Sequence, residues 1–242
     1  MKKLFHCLCL FSLLPVLITG CIIGGPTVTG NRQVTSVSRT LNHYDRIVVA
    51  GSMHVFVQQG TAQDARIEAE SNLIPYVETS IDDDKLEVRF KKNVRIISHD
   101  PVNVYLTAPD IHSLSVLGSG NIKTQDSLTN DDKIKLNVAG SGDIQLQMNA
   151  PELDAGIEGS GNISVSGETK DIHLNIVGSG DFKGAGLKSE QAVIKITGSG
   201  NAHVFSSIKL KTKILGSGNI YYQGNPSVET TSTGSGKVMK EE

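Results

Sequence analysis

The residues with the most regular spacing are glycine, serine and an amide or carboxylate. Gly-Ser-Gly occurs seven times, starting at Gly118, Gly140, Gly159, Gly178, Gly198, Gly216 and Gly234, at intervals of 22, 19, 19, 20, 18 and 18 residues. The residue that follows is Asn121, Asp143, Asn162, Asp181, Asn201, Asn219 and Lys237. Glycine-rich loops cradle phosphates, and stacked Gly-x-Asp turns hold calcium. Neither chemistry suits this pattern. A dinucleotide loop needs a third glycine three residues after the second, and the first copies hold Lys123, Gln145 and Ser164 there. Calcium takes six to eight oxygens, several of them charged. Only Asp143 and Asp181 are acidic, and they lie two units apart. The expected role is structural: a ladder of Asn and Asp side chains bonding to backbone at each corner. No cofactor and no metal site is expected.

Other chemistry is thinly represented. His43, His54, His99, His112, His173 and His203 show no metal-binding spacing. No Gly-x-Ser-x-Gly elbow activates any serine. Asp82 to Asp84 and Asp131 with Asp132 cluster in apparent turns, where solvated charge is the ordinary condition. A glycosidase needs two carboxylates about 5–10 Å apart across a cleft. No catalytic residue is assigned, and a non-enzymatic protein is expected. The alternatives are a carbohydrate-active β-helix enzyme and a purely structural component.

The N-terminus carries an address. Lys2 and Lys3 precede an apolar run from Leu8 to Ile18, and Ile18-Thr19-Gly20-Cys21 closes the segment. The run is shorter than the roughly 20 residues of a membrane-spanning helix. Small residues before a cleavage point mark a signal peptide, here residues 1–20. The junction resembles the bacterial lipobox, which makes Cys21 the expected lipid attachment site. Cys7 and Cys9 leave with the signal, so the mature chain has no other thiol for disulfide, metal or nucleophile. Ile22, in place of an acidic residue, points to the outer membrane. Residues 21–39 are rich in Gly, Thr and Ser and read as a flexible tether.

These residues need elements to carry them. Two positions before each Gly-Ser-Gly stand Val116, Val138, Ile157, Ile176, Ile196, Ile214 and Ser232, and polar residues alternate with apolar ones on both flanks. That is the period of strands. A unit of 18–22 residues holding two strands fits a solenoid coil or a barrel hairpin. Near-identical corners and a β-branched residue in six of seven ladder positions favour the solenoid. Val49-Ala50-Gly51-Ser52 reads as an eighth, degenerate corner. Residues 41–110 are less regular and are expected to form opening coils or a cap, with Asp82 to Asp84 turning a hairpin. The predicted fold is all-β: a parallel β-solenoid, one domain over residues 40–242. Hydrophobic content of 38% suits a folded chain. Loss of Lys2 and Lys3 takes the formal charge from −2 to −4, which argues against nucleic acid as partner.

The repeated Gly-Ser-Gly-Asn-Ile corners resemble the head GIN domain family. Gly216-Ser217-Gly218-Asn219-Ile220-Tyr221-Tyr222-Gln223-Gly224-Asn225-Pro226 carries the resemblance best, and Tyr44-Asp45-Arg46-Ile47-Val48-Val49-Ala50-Gly51 resembles the family's start. The resemblance spans about residues 43–238. It implies a β-solenoid, an envelope location and an adhesive role, and it brings no catalytic residues. The expected protein is anchored to membrane through Cys21 and presents a rigid surface to a glycan, an envelope protein or a copy of itself.

Overall fold

The computed structural model describes residues 25–242. Residues 1–20 and Cys21 lie outside that range. The chain is a stack of parallel coils, about seven turns. Each coil gives one strand before the glycine corner and one after it. The pre-corner strands pair in the order Lys85–Phe90, Arg46–Gly51, Ser113–Gly118, Lys133–Gly140, the ends of Asp143–Gly159 and Asn162–Gly178, then Gln191–Gly198, Lys209–Gly216 and Ser227–Gly234. The post-corner strands run alongside from Asn103–Ala108 and His54–Gln59 to Ile220–Gln223 and Val238–Lys240.

Alternation along each strand sends one set of side chains inward. Val49, Val116, Val138, Ile157, Ile176 and Ile196 are fully buried in one ladder, and Val55, Ile122, Ile144, Ile163, Phe182 and Ile220 face them from the other sheet. Each such side chain contributes about 1.5–3 kcal/mol. The β-branched shape fits because identical residues stack directly above one another. Ser232 and Thr230 end the ladders at the last coil, whose strand Ser227–Gly234 is exposed throughout. Thr212, one coil in, is buried and donates to Thr230 Oγ1 at 3.0 Å.

The degenerate corner at Gly51 is a true coil, since Gly51 pairs with Gly118 and Val49 with Val116. It is not the end of the stack. The chain leaves it at Gln59, and Lys85–Phe90 and Asn103–Ala108 return to pair on its far side. Antiparallel strands then close that end: Val77–Asp82 against Lys85–Phe90, Ala65–Glu70 against Asn103–Ala108, and Val34–Arg39 against Ala65–Glu70. Covered and antiparallel edges discourage stacking of further chains. Asp83 and Asp84 turn the hairpin with φ of 49° and 57°, a conformation aspartate tolerates.

The flexible tether expected for residues 21–39 is corrected from Thr27 onward. Thr27–Thr29 pairs with Arg95–Ile97 and Val34–Arg39 with Ala65–Glu70. The strand reads as a linker because Thr and Ser fill its positions and backbone pairing supplies the attachment; Val37 is its apolar contact with the core. Two side chains fasten the segment. Arg39 donates to the carbonyls of Val77 at 2.6 Å and Ile74 at 3.1 Å. Glu70 is buried, and its carboxylate accepts the N–H of Arg32 at 2.6 Å, the N–H of His99 at 2.9 Å and Ser98 Oγ at 3.0 Å. Burial alone would push that carboxyl up. The hydrogen bonds outweigh it and hold the group below its ordinary value of 4.5.

A depressed carboxyl stabilises the fold above its unfolded-state pKa and loses that contribution as pH falls through the folded-state value. Glu70→Gln is therefore expected to melt lower than wild type at pH 7, with the gap closing toward pH 3. Melting curves across pH check this. An equal gap at both ends would show that the charge does not hold the segment.

Candidate functional site

The glycine corner brings backbone unusually close to backbone. Gly140, Gly159, Gly178 and Gly198 have φ between 121° and 129°, where side chains are strained. A Cβ on Gly161 would lie 2.1 Å from the Gly142 carbonyl oxygen, and one on Gly180 would lie 2.1 Å from that of Gly161. This approach lets Ser160 N–H reach Gly140 O and Ser179 N–H reach Gly159 O, each at 2.8 Å.

The next residue forms the expected ladder. Asp143 N–H donates to Asn121 Oδ1 at 3.0 Å, Asn162 N–H to Asp143 Oδ1 at 3.0 Å, Asp181 N–H to Asn162 Oδ1 at 3.2 Å and Asn201 N–H to Asp181 Oδ1 at 2.9 Å. Asn162 Nδ2 and Asn201 Nδ2 also donate to the aspartates beneath them, at 2.8 Å and 3.0 Å. Alternation explains the sequence: each carboxylate receives an amide from the coil above, and no two carboxylates stack. These oxygens are already engaged by backbone and amide, which is the structural role expected of them. Among the described residues no three His, Cys, Asp or Glu side chains converge as a metal site would.

The histidines scatter. His43 meets Asp84 at 3.2 Å, His112 meets Asp45 at 3.5 Å and His203 meets Glu241 at 3.3 Å. His173 points outward and is exposed. Asp131 and Asp132 sit in a turn that Asn130 Oδ1 closes by accepting Asp132 N–H at 2.9 Å.

Beside the ladder, the outer face of the post-corner sheet gathers a different set of groups. In register stand Tyr105, Phe56, Lys123, Gln145, Ser164, Lys183, His203 and Tyr221. The rings of Phe56 and Tyr105 stack at 5.0 Å, Arg66 covers Tyr105 at 3.7 Å, and the Tyr105 hydroxyl donates to Glu68 at 3.0 Å. Three shallow grooves adjoin here. One of about 220 Å³ lies between His54, Phe56, Lys123 and Gln145. One of about 370 Å³ lies between Gln58, Arg66, Tyr105 and Gln125. One of about 210 Å³ lies between Lys123, Asp126, Gln145 and Gln147. Planar amides offer paired donors and acceptors, and aromatic edges add apolar area between them. Each groove is lined by one carboxylate only, Asp143, Asp64 and Asp126 respectively. A glycosidase uses two. A groove of about 460 Å³ at the opposite bend of the coils does hold Asp131, Glu168 and Glu190, all solvent-exposed.

Sequence reasoning missed this face. Phe56 and Tyr105 are adjacent because the chain doubles back at the first coil. The signal was present in Val55-Phe56-Val57 and Val104-Tyr105-Leu106, each an aromatic on the solvent side of an apolar alternation.

The family described as "Putative auto-transporter adhesin, head GIN domain" matches residues 43–226. Solved structures share the fold. A "putative adhesin" from Bacteroides fragilis NCTC 9343 superposes with a TM-score of 0.83 at 17% identity, covering 88% of this chain and 100% of that one. A "putative lipid binding protein" from Parabacteroides distasonis ATCC 8503 gives 0.73 at 22%, covering 89% and 100%. A "putative adhesin" from the same organism gives 0.67 at 26%, also covering 89% and 100%. None of the curated proteins compared matches the chain.

The ladder yields a direct test. Asn162→Asp sets three carboxylates in register and removes the 2.8 Å donor to Asp143. It should cost about 1–3 kcal/mol, or roughly 2–12 °C in Tm, at pH 7. The loss should shrink as pH falls, because stacked carboxylates raise one another's pKa and protonate early. Chelator should leave the wild-type Tm unchanged; a fall reversed by Ca²⁺ would make the corners metal sites.

Proposed function

We propose that this chain, which belongs to the head GIN domain family, is a lipid-anchored protein of the bacterial envelope that binds a glycan on the outer face of its post-corner sheet. The observation that carries the reading is the set of three adjoining grooves where Phe56, Tyr105, Lys123, Gln125 and Gln145 lie together. Amides and hydroxyls match the donors and acceptors of sugar hydroxyls, and a rigid sheet holds their backbone in place, which lowers the ordering cost of binding. The family's description as an adhesin supports an envelope protein that binds rather than catalyses.

The anchor follows from Gly20-Cys21. Acylation of Cys21 after removal of residues 1–20, with outer-membrane placement, completes the proposal. No helix of the described residues is long and apolar enough to cross a membrane. The enzyme reading keeps one place, the opposite groove of Asp131, Glu168 and Glu190. Their exposure supports it poorly, because solvent-exposed carboxyls lack the desolvation that helps to raise a general acid's pKa.

Screening the full chain on a glycan array tests the reading. Phe56→Ala and Gln145→Ala should each weaken a captured glycan about ten-fold, whereas Glu168→Gln should not. Capture unaffected by both face variants would refute the assignment. Cys21→Ala should abolish lipid labelling and leave the precursor unprocessed; a mature mass without acyl groups would remove the anchor.

A further inference from the structure

The outer face of the pre-corner sheet is banded by charge. Its outward residues form columns that follow the register of the strands. One column reads Lys135, Asp154, His173, Val193, Lys211, Glu229. Its neighbour reads Lys133, Glu152, Asp171, Gln191, Lys209, Ser227. The first reverses its order of charge about its middle: lysine, aspartate, histidine, then valine, lysine, glutamate. The second shares the inner acid and base, Glu152 and Lys209, but has Asp171 in place of His173 and Ser227 in place of Glu229. The midpoint lies between the strand ending at Gly178 and the strand ending at Gly198. Two exposed valines sit there, Val177 at 43% and Val193 at 42% accessibility.

We infer that this face is an interface between two copies of the chain. A two-fold axis parallel to the strands, placed at the midpoint, turns one face onto the other. It sets Asp154 against Lys211 of the second copy, Glu152 against Lys209 and Lys135 against Glu229. Every pair occurs twice, as a closed isologous contact requires. Within one copy the arrangement is unfavourable, because Glu152 stacks beside Asp171 and Lys195 beside Lys213, and like charges opposite one another destabilise a sheet. Lys133 meets Glu152 at 3.4 Å and Lys211 meets Glu229 at 3.1 Å. Among the described residues Asp154, Asp171, Lys195, Lys209 and Lys213 have no such partner. The second copy brings opposite charge to Asp154 and Lys209, while Asp171, Lys195 and Lys213 face the uncharged Gln191, Asn175 and Gly156.

Size and charge balance favour a second copy over a polyanion. Six strands about 4.8 Å apart and eight residues at about 3.3 Å each give roughly 750 Å² per copy. A standard interface uses roughly 800 Å² per partner. A polyanion drawn to Lys209, Lys211 and Lys213 would meet the acidic band within about 15 Å, three strand spacings, and a rigid polymer crossing the strands would be repelled there. Two copies held on one membrane surface associate at raised effective concentration, and the contact leaves the post-corner face free. The inference stands independently of the glycan reading.

Cysteine pairing in the full chain tests it. Asp154→Cys with Lys211→Cys should give a covalent dimer under mild oxidation, whereas either alone, and the unsubstituted chain after removal of residues 1–20 and acylation of Cys21, should not. Charge reversal gives a second readout by sedimentation in detergent. Glu152→Lys/Asp154→Lys and Lys209→Glu/Lys211→Glu should each weaken self-association at least about five-fold, and an equimolar mixture should restore it, because reversed bands complement. Circular dichroism confirms that both variants fold. A paired-cysteine chain that cross-links no better than the single variants overturns the inference. So does a mixture of folded variants that stays monomeric, or a monomeric wild type whose lysine variant loses binding to polygalacturonate.

Discussion

The structure depends on how closely one corner sits upon the next. At Gly159 and Gly161 the backbone of one coil approaches the carbonyls of the coil beneath so tightly that a single methyl group would collide. That proximity fixes register. Once Gly159 rests on Gly140, Ile157 must rest on Val138 and Asn162 on Asp143. The aliphatic ladder and the polar ladder are consequences of one contact, repeated. A slip of one residue would send every buried side chain to solvent, and the corner forbids it.

Repetition also decides what each face can be. A residue at a given position in the repeat lands in a column with its equivalents, so charge and chemistry accumulate as stripes along the stack. On the post-corner face the stripe mixes aromatic, lysine, amide and hydroxyl side chains; on the pre-corner face it is alternating charge. Side chains held on paired strands are positioned more rigidly than on loops, and both proposed binding surfaces lie on strands. Divergence between copies of the repeat supplies their specificity: Lys211 and Asp154 occupy one column and differ only in which coil they belong to.

The repeats were legible because their physics is local. Gly-Ser-Gly-Asn names its own corner, and Ile157 and Ile176 declare an inward position by period alone. The first hundred residues were less legible because their order in space is not their order in sequence. Nothing local says that Lys85–Phe90 and Asn103–Ala108 pack outside a coil formed earlier in the chain. The same doubling back joins Phe56 to Tyr105. Thr27–Thr29 and Val34–Arg39 were hidden for another reason: edge strands held by backbone pairing and by Glu70 and Arg39 need few apolar residues of their own. A buried carboxylate whose donors come from residues 32, 98 and 99 has no signature in any window of sequence.

The central claim is that equivalent coils stack in one register, each touching mainly its neighbours. Excising Gly159 to Val177 removes 19 residues, joins Glu158 to Gly178 and leaves Ile157 where Ile176 stood. Circular dichroism and thermal melting of that variant should show a soluble, β-rich chain that unfolds cooperatively. Excising only Gly159 to Ser166, eight residues that break the phase, should give a chain that does not fold. A closed barrel would lose closure in both cases, so recovery of both variants only as aggregates would contradict the account.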